Sequence, residues 1–370
     1  MVERIQVGTR KGLFTLRRVD GAWAIDDEVA FLGVPVPMLH HDARDGADYA
    51  ALDHGHFGSK LHRRDAGGEW IEVGVPSYPE KPEGEDDLGA QDRAPIPWAL
   101  KLTWALESAG PDRPGSLWCG TLPGGLFRSD DRGDSWQLVE SLWNMPERRE
   151  WFGGGADWPG IHSVCVDPRD SRRVVIGISC GGVWLSEDAG QTWACRATGM
   201  RAEYLPPEQQ HEPNLQDPHR VVQCPSAPDV YWTQHHNGIF RSGDGCASWQ
   251  EITTAKPTHF GFAVAVHPND PDTAWFVPAV KDDQRFPGSG QVVVSRTRDG
   301  GQSFEVLRQG LPQRHAYDLV YRHALAVDAS GSTLVFGSTT GSLWISEDGG
   351  DSWSTLSEHL PPVYVVKLVE

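Results

Sequence analysis

The sequence predicts an all-β fold, a single seven-bladed β-propeller of four-stranded antiparallel blades. Three observations predict it: one octad recurs along the chain, each copy follows a short apolar strand, and the two chain ends read as complementary parts of one blade. The copies are SDDRGDSW at 129–136, SEDAGQTW at 186–193, SGDGCASW at 242–249, TRDGGQSF at 297–304 and SEDGGDSW at 346–353. A weaker copy, RRDAGGEW, occupies 63–70, and a vestige, RRVDGAW, ends at Trp23. The closing aromatics are therefore Trp23, Trp70, Trp136, Trp193, Trp249, Phe304 and Trp353. They fall at intervals of about 50 to 65 residues, which suits one four-stranded blade with its turns.

The octad has the chemistry of a hairpin turn. Its Ser or Thr hydroxyl and its Asp carboxylate accept N–H bonds within the loop, and its Gly permits positive φ. The aromatic then opens the next strand and packs between sheets. Cys246 stands where the other copies have Gly, so that turn is predicted to be strained or differently shaped. Before most octads lie two further strands, an inner one (IHSVCVDP, RVVQCPSAP, FAVAVHPND, RHALAVDAS) and a second (RRVVIGIS, DVYWTQ, TAWFVP, TLVFGS). The N-terminal RIQVGTRKGLF matches only the second strand and its continuation. The missing inner strand is expected to be PPVYVVKLV at 361–369, which would close the ring and remove exposed edges. The blades are then expected at 1–35 with 361–370, 36–95, 96–157, 158–215, 216–256, 257–315 and 316–360, within one domain.

The pattern S-x-D-x-G-x-[TS]-W resembles the Asp-box, or BNR, repeat of sialidase-like propellers, one of the WD40/YVTN-like repeat classes. The resemblance spans nearly the whole chain and is nearest to bacterial sialidase-like proteins that lack a clear sialidase site. It implies that the boxes are structural and that ligands bind on the other face, around the central channel. It does not carry the sialidase residues over. GTRKGLF stands where an early F-R-I-P motif belongs, and Arg10 alone suits one member of the arginine triad. A glycosidase needs two carboxylates flanking the bond; Asp157, Glu203 and Glu212 lie in suitable loops without a pairing signal. Asp boxes also occur in xyloglucan-cleaving propellers, whose cleft lies between paired propeller domains.

The formal charge of −18 argues against nucleic acid and anionic membranes as partners, since both need a basic face. No run approaches the roughly 18 apolar residues of a membrane helix. The N-terminus enters a strand pattern without an apolar signal core, and the six cysteines lack metal spacing and read as reduced thiols. A cytoplasmic location is the expectation.

Strand assignment places the octads at one end of each blade and the remaining loops at the other. That other face collects Arg10, Lys11, His54, His56, Cys180, His235, His236, Thr339 and Thr340 from turns. Inner-strand starts add His40, His41, Lys101, His162, His219, Arg220, His259, Arg322 and His323. The longest insertions, 143–160 and 200–219, also lie there and carry Trp143, Trp151, Phe152, Trp158 and Tyr204. Any one histidine at a strand end is more often a hydrogen-bonded structural side chain; the convergence of several singles out this face.

Three readings follow. In the first, Arg10, Lys11, Lys101, His219, Arg220, His259 and Trp158 bind a small anionic ligand of carboxylate type through charge-assisted bonds. His162 and His323 then act as general acid or base in a hydrolase or lyase. In the second, His54, His56, His162, His235 and His323 hold a divalent transition metal, with His211 and Glu212 as further candidates. In the third, the protein is a non-catalytic assembly propeller whose loops 143–160 and 200–219 contact a protein partner or a second copy. Glycoside hydrolysis of the sialidase-like type ranks below these.

Overall fold

The structure, a computed structural model, describes residues 2–84, 87–89 and 93–370; parts of the predicted second-blade segment, 85–86 and 90–92, lie outside the described residues, as does residue 1. It contains seven four-stranded antiparallel sheets, the blades of a β-propeller. Blade 1 joins Val363–Val369, Arg4–Thr9, Gly12–Val19 and Ala22–Ile25. Blade 2 holds Met38–Asp42, Ala47–Asp53, Ser59–Arg64 and Ile71–Val73, and blade 3 holds Leu102–Ser108, Leu117–Leu122, Leu126–Ser129 and Gln137–Leu138. Blade 4 holds Ile161–Val166, Val174–Ile178, Gly182–Ser186 and Ala194–Cys195. Blade 5 holds Pro218–Cys224, Ala227–His235, Gly238–Ser242 and Gln250–Ile252. Blade 6 holds Phe260–Val266, Ala274–Ala279, Val294–Thr297 and Glu305–Leu307, and blade 7 holds Leu325–Val327, Leu334–Gly337, Leu343–Ser346 and Ser354–Ser357. A two-stranded hairpin, Leu88–Gly89 with Arg93–Pro95, was not expected from the sequence. Among the described residues no helix is long and apolar enough to cross a membrane, and none of the six cysteines forms a disulfide.

The chain divides into two compact units. The first comprises Met1–Leu39, Val222–Ser242 and Gln250–Glu370; the second comprises His40–Val221 and Gly243–Trp249. In the first, Trp275, Phe336, Trp344 and Trp353 pack with Ile5, Leu16, Leu334 and Val363 in one core. In the second, Trp118, Trp151 and Trp184 pack with Ile161, Ile176 and Ile178. Strands buried on both faces read as unbroken apolar runs, and all five residues of Val174–Ile178 are buried. Glycine sets the spacing between blades: a Cβ on Gly120 would meet the Ile161 carbonyl at 2.6 Å, and one on Gly337 would meet Val363 at 2.5 Å. Each lets the inner strand of the next blade lie directly against the second strand.

The chain ends meet as the sequence predicts. Val363–Val369 runs antiparallel to Arg4–Thr9, with Arg4 opposite Val369 and Val7 opposite Val366, and the register shifts between Gly8 and Thr9. The C-terminal strand thereby covers the edge that the first strand would otherwise present to water.

The octads explain their own residues. In the third blade Gly133 N–H donates to Ser129 Oγ at 2.8 Å, and Ser135 donates through N–H (2.9 Å) and Oγ (2.6 Å) to the two oxygens of Asp131. The same bonds recur at Asp188 with Thr192, Asp299 with Ser303 and Asp348 with Ser352. The Ser303 bonds, side chain first and backbone next, hold the Asp299 carboxyl down at about 2. Two successive residues in each turn are left-handed: Arg132 and Gly133, Ala189 and Gly190, Gly245 and Cys246, Gly300 and Gly301, Gly349 and Gly350. Cys246 keeps the shape at φ 69°, and Ser248 still donates to Asp244 at 2.6 Å. That turn is therefore strained rather than reshaped, because a Cβ at positive φ crowds its own backbone.

Candidate functional site

Antiparallel alternation puts the remaining turns at the strand ends away from the octads. There a buried polar side chain at or one residue before the end of the second strand serves as a tether in several blades. In the first unit Thr9 Oγ1 donates to the Gly12 carbonyl (2.8 Å), and Gln234 Nε2 donates to the carbonyls of His235, Gly238 and His259. In the second, Thr121 Oγ1 donates to the Pro123 and Gly125 carbonyls at 2.8 and 3.0 Å. These side chains satisfy turn carbonyls that burial would otherwise leave orphaned.

The first unit builds a cluster on top of this scaffold. Phe260 and Phe262 open the inner strand of blade 6, are 5% and 4% exposed, and pack edge-to-face at 5.5 Å. Against the Phe262 ring lie two guanidinium groups, Arg322 at 5.2 Å and Arg285 at 5.4 Å from its centroid. Arg285 comes from the long turn between Ala279 and Val294, and Arg322 from the segment entering blade 7. Arg285 donates to Asp282 Oδ1 at 2.5 Å, while Asp282 Oδ2 lies 3.8 Å from His236 Nε2. The His236 ring in turn sits edge-on to Phe260 at 6.0 Å. Arg285 also donates its Nε–H to the Asp282 carbonyl at 2.9 Å, so Asp282 and the Phe262 ring together hold this cation in place.

The second unit builds a buried cluster under its long loops. Asp217, 1% exposed, accepts the Cys180 N–H at 3.1 Å and the Ser179 hydroxyl at 3.3 Å, and lies 3.5 Å from His219 Nε2. Tyr204 donates to the Leu215 carbonyl (2.8 Å) and reaches the Cys180 sulfur at 3.9 Å; burial, with Cys180 and Asp217 nearby, pushes its hydroxyl far above the usual range. Gly154 covers the cluster, since a Cβ there would stand 2.7 Å from Asp217 and 2.8 Å from the Cys180 sulfur. As it stands, the arrangement ties the two loops to blade 4.

The predicted site residues are distributed as follows. Arg10, Lys11 and Lys101 are exposed, with Arg10 N–H on the Pro362 carbonyl, Lys11 N–H on Thr9 Oγ1, and the Lys101 carbonyl accepting from Ser59. His259 is exposed, and its carbonyl receives Gln234. His162 is fully buried, bonded through Nδ1 to Ser163 Oγ at 2.9 Å and packed edge-on to Trp104. Arg220 donates to the His162 carbonyl at 3.0 Å, and desolvation pulls its guanidinium below the usual value against the pull of Cys165 and Glu107. His235 is buried and accepts the Asn237 N–H; His323 bridges Val365 through its backbone. His54 is half-buried just before the short turn Gly55–Phe57, and His56 is exposed within it. Among the described residues, none of His54, His56, His162, His235 and His323 belongs to a group of three converging metal-ligand side chains. Trp158 is half-buried, with its indole on the Pro95 carbonyl at 3.2 Å.

The loop aromatics divide sharply. Trp143, Trp151 and Phe152 are buried in the second unit itself, whereas Tyr204 is 38% exposed. Arg148 stacks over Trp143 at 4.0 Å and pairs with buried Asp87 at 3.0 Å. Sequence reading missed Phe262, Arg285 and Asp282. The available signal was the length of the turn after Ala279, longer than its counterparts in blades 4, 5 and 7.

No protein-family model matches the chain. It is 23% identical over 271 residues to an oligoxyloglucan-reducing end-specific xyloglucanase of Emericella nidulans, covering 69% of this chain and 27% of that protein. The chain thus spans about a quarter of that curated relative. Among solved structures it is similar to an ancestral GH74 enzyme, with a TM-score of 0.56 at 16% identity, covering 84% of this chain and 36% of that one. It is also similar to YCF48 bound to D1 peptide, with a TM-score of 0.54 at 14% identity, covering 94% and 88%. Those structural likenesses establish the fold. The octads pointed toward sialidase-like proteins; the sequence likeness is to xyloglucanases, which are glycoside hydrolases. The chain is a seven-bladed β-propeller with xyloglucanase relatives.

Proposed function

We propose that the protein binds a small carboxylate-bearing ligand at the Phe262 cluster. The observation that carries this reading is the pair of guanidinium groups, Arg285 and Arg322, held against one buried ring. Two cations against one ring offer charge-assisted bonds to a carboxylate. In a chain of net charge −18, such a pair also attracts an anion that the rest of the surface repels. The groups differ from those expected: Arg285 and Arg322 take the part assigned to Arg10, Lys101 and Arg220.

The test is calorimetric titration of the full chain with succinate, the cluster being intact. Succinate binding is expected, and Arg322→Ala or Arg285→Ala should each weaken it by about tenfold or more, the value of one charge-assisted bond. No heat of binding, or equal affinity in both variants, would overturn the reading.

Glycoside hydrolysis is a second reading, favoured by the likeness to xyloglucanases over 69% of the chain. It requires a pair of carboxylates about 5 to 9.5 Å apart around a bond. Asp282 is the carboxylate the Phe262 cluster supplies, already engaged by Arg285. Release of reducing ends from xyloglucan oligosaccharides, abolished by Asp282→Asn, would support this reading; no release would remove it.

A further inference from the structure

Three residues of the second unit, a serine, a histidine and a glutamate, meet where the inner strands of blades 2 and 3 lie side by side. His40, 3% exposed in the middle of Met38–Asp42, reaches Ser108 at the end of Leu102–Ser108, and its Nε2 lies 2.9 Å from the Ser108 Oγ. The other ring nitrogen, Nδ1, lies 3.8 Å from Glu107 Oε1. Successive strand residues ordinarily point to opposite faces. Here the Glu107 carboxylate turns back and accepts the Ser108 N–H at 3.3 Å, which keeps it on the histidine's side. The residues flanking His40 are fixed as well: His41 Nδ1 is bonded to Asp48 at 2.8 Å, and Asp42 accepts the Arg44 guanidinium at 2.6 and 2.7 Å. The buried Tyr49 ring packs 6.0 Å from the His40 ring.

We propose that Ser108, His40 and Glu107 form an acyl-transfer site that hydrolyses small carboxylic esters, with Ser108 the nucleophile, His40 the general base and Glu107 a positioning residue. It stands independently of the carboxylate reading, which concerns residues of the first unit. With Ser108 donating to Nε2, the imidazole proton sits on Nδ1, the nitrogen that faces Glu107. That is the tautomer a general base needs. At 3.8 Å Glu107 acts through its charge rather than a hydrogen bond, favouring the imidazolium that forms when Nε2 takes a proton. In the reaction the Ser108 Oγ bonds to the ester carbonyl carbon, its proton passes to Nε2, and the carbonyl π pair moves onto oxygen. That pair then re-forms the carbonyl, the C–O bond to the alcohol breaks, and the leaving oxygen takes the proton from Nε2. Water repeats the sequence on acyl-Ser108, releasing the carboxylic acid and restoring the serine. His40 is covered and Ser108 half-buried, so the serine oxygen is the approachable atom, which suits a small acyl group such as acetyl.

The experiment treats the full chain with a fluorophosphonate, locates the adduct by peptide mass spectrometry, and follows p-nitrophenol release from p-nitrophenyl acetate. An adduct at Ser108 and steady release are expected, and Ser108→Ala should abolish both while melting as the native protein does. His40→Gln should slow labelling about hundredfold or more, the contribution of a general base. Glu107→Gln, at a side chain 37% exposed, keeps the test sound should the buried histidine variant fail to fold. It should melt as the native protein does yet label about tenfold more slowly, what a nearby carboxylate contributes to an imidazolium, and Glu107→Asp should restore much of the rate. If Ser108 stays unmodified, if Glu107→Gln labels as fast as the native chain, or if Ser108→Ala still releases p-nitrophenol at the native rate, the serine and histidine only tie two blades together and the proposal fails.

Discussion

The two ends of a blade solve the same problem, turning a strand, in opposite ways. At the octad end the turns share one pattern: one carboxylate and one hydroxyl collect N–H groups of their own loop, as Asp131 and Ser129 do, and one N–H donates to the preceding turn, as Arg132 does to the Gly115 carbonyl and Gly349 to that of Ser332. At the other end the turns differ in what closes them. Thr9 closes on its own loop, Gln234 reaches the His259 carbonyl, Ser338 reaches Asp318, and Ser179 reaches Asp217. A turn closed by the same near-neighbour bonds each time can be copied from blade to blade. One that is closed by a distant partner is free to differ, and that is where the Phe262 and Asp217 clusters arise.

The contrast is sharpest in the loops, where the largest effect is expected. Arg148→Ala would leave the buried Asp87 carboxylate without its ion pair, at a cost of about 3 to 5 kcal/mol. Chemical denaturation should register that loss; a change under about 1 kcal/mol would mean the 143–160 loop is not held by this pair.

Substituting an octad acid should cost less and should leave binding alone. Asp299→Ala removes the acceptor of Ser303 N–H and Oγ, with an expected destabilisation of about 1 to 3 kcal/mol. The same bonds set a pH dependence. The folded Asp299 carboxyl titrates at about 2, below its ordinary 3.8, so its stabilisation is complete above the unfolded value and is lost as pH falls toward 2. The native protein should therefore lose more stability between pH 4 and pH 2 than Asp299→Asn does; parallel curves would contradict the bond geometry.

Cys246→Gly is a smaller perturbation. Relief of a left-handed residue, about 1 to 2 kcal/mol, opposes loss of a fully buried side chain of similar worth, so the net change should stay within about 1 kcal/mol. Thermal melts of the two proteins measure it. The smallest stability change belongs to Arg285→Ala, within about 0.5 kcal/mol because the side chain is exposed. If that variant instead unfolds the protein, the arginine is part of the core rather than of a binding surface.

The octads were legible because each is a local contract between residues two to four positions apart, and so were the strands before them. Even so, one feature escaped: the turn needs two successive left-handed residues, and Arg132 and Ala189 give no hint that they occupy the first. The histidines on the other face were found by type and placed on the correct strand ends, but burial turned several to structural use. His162 bonds Ser163 and receives Arg220 on its carbonyl, and His235 caps Asn237. Burial depends on what packs above a residue, and that is set by loops from elsewhere in the chain.

From sequence alone come the number of blades, the meeting of Val363–Val369 with Arg4–Thr9, and the structural role of the octads. All rest on a repeat, and a repeat reports local physics many times over. Only the tertiary structure brought Arg285 and Arg322 to the Phe262 ring. These residues occur once, are separated by whole strands, and meet because the blades curl two unrelated loops over the same strand end.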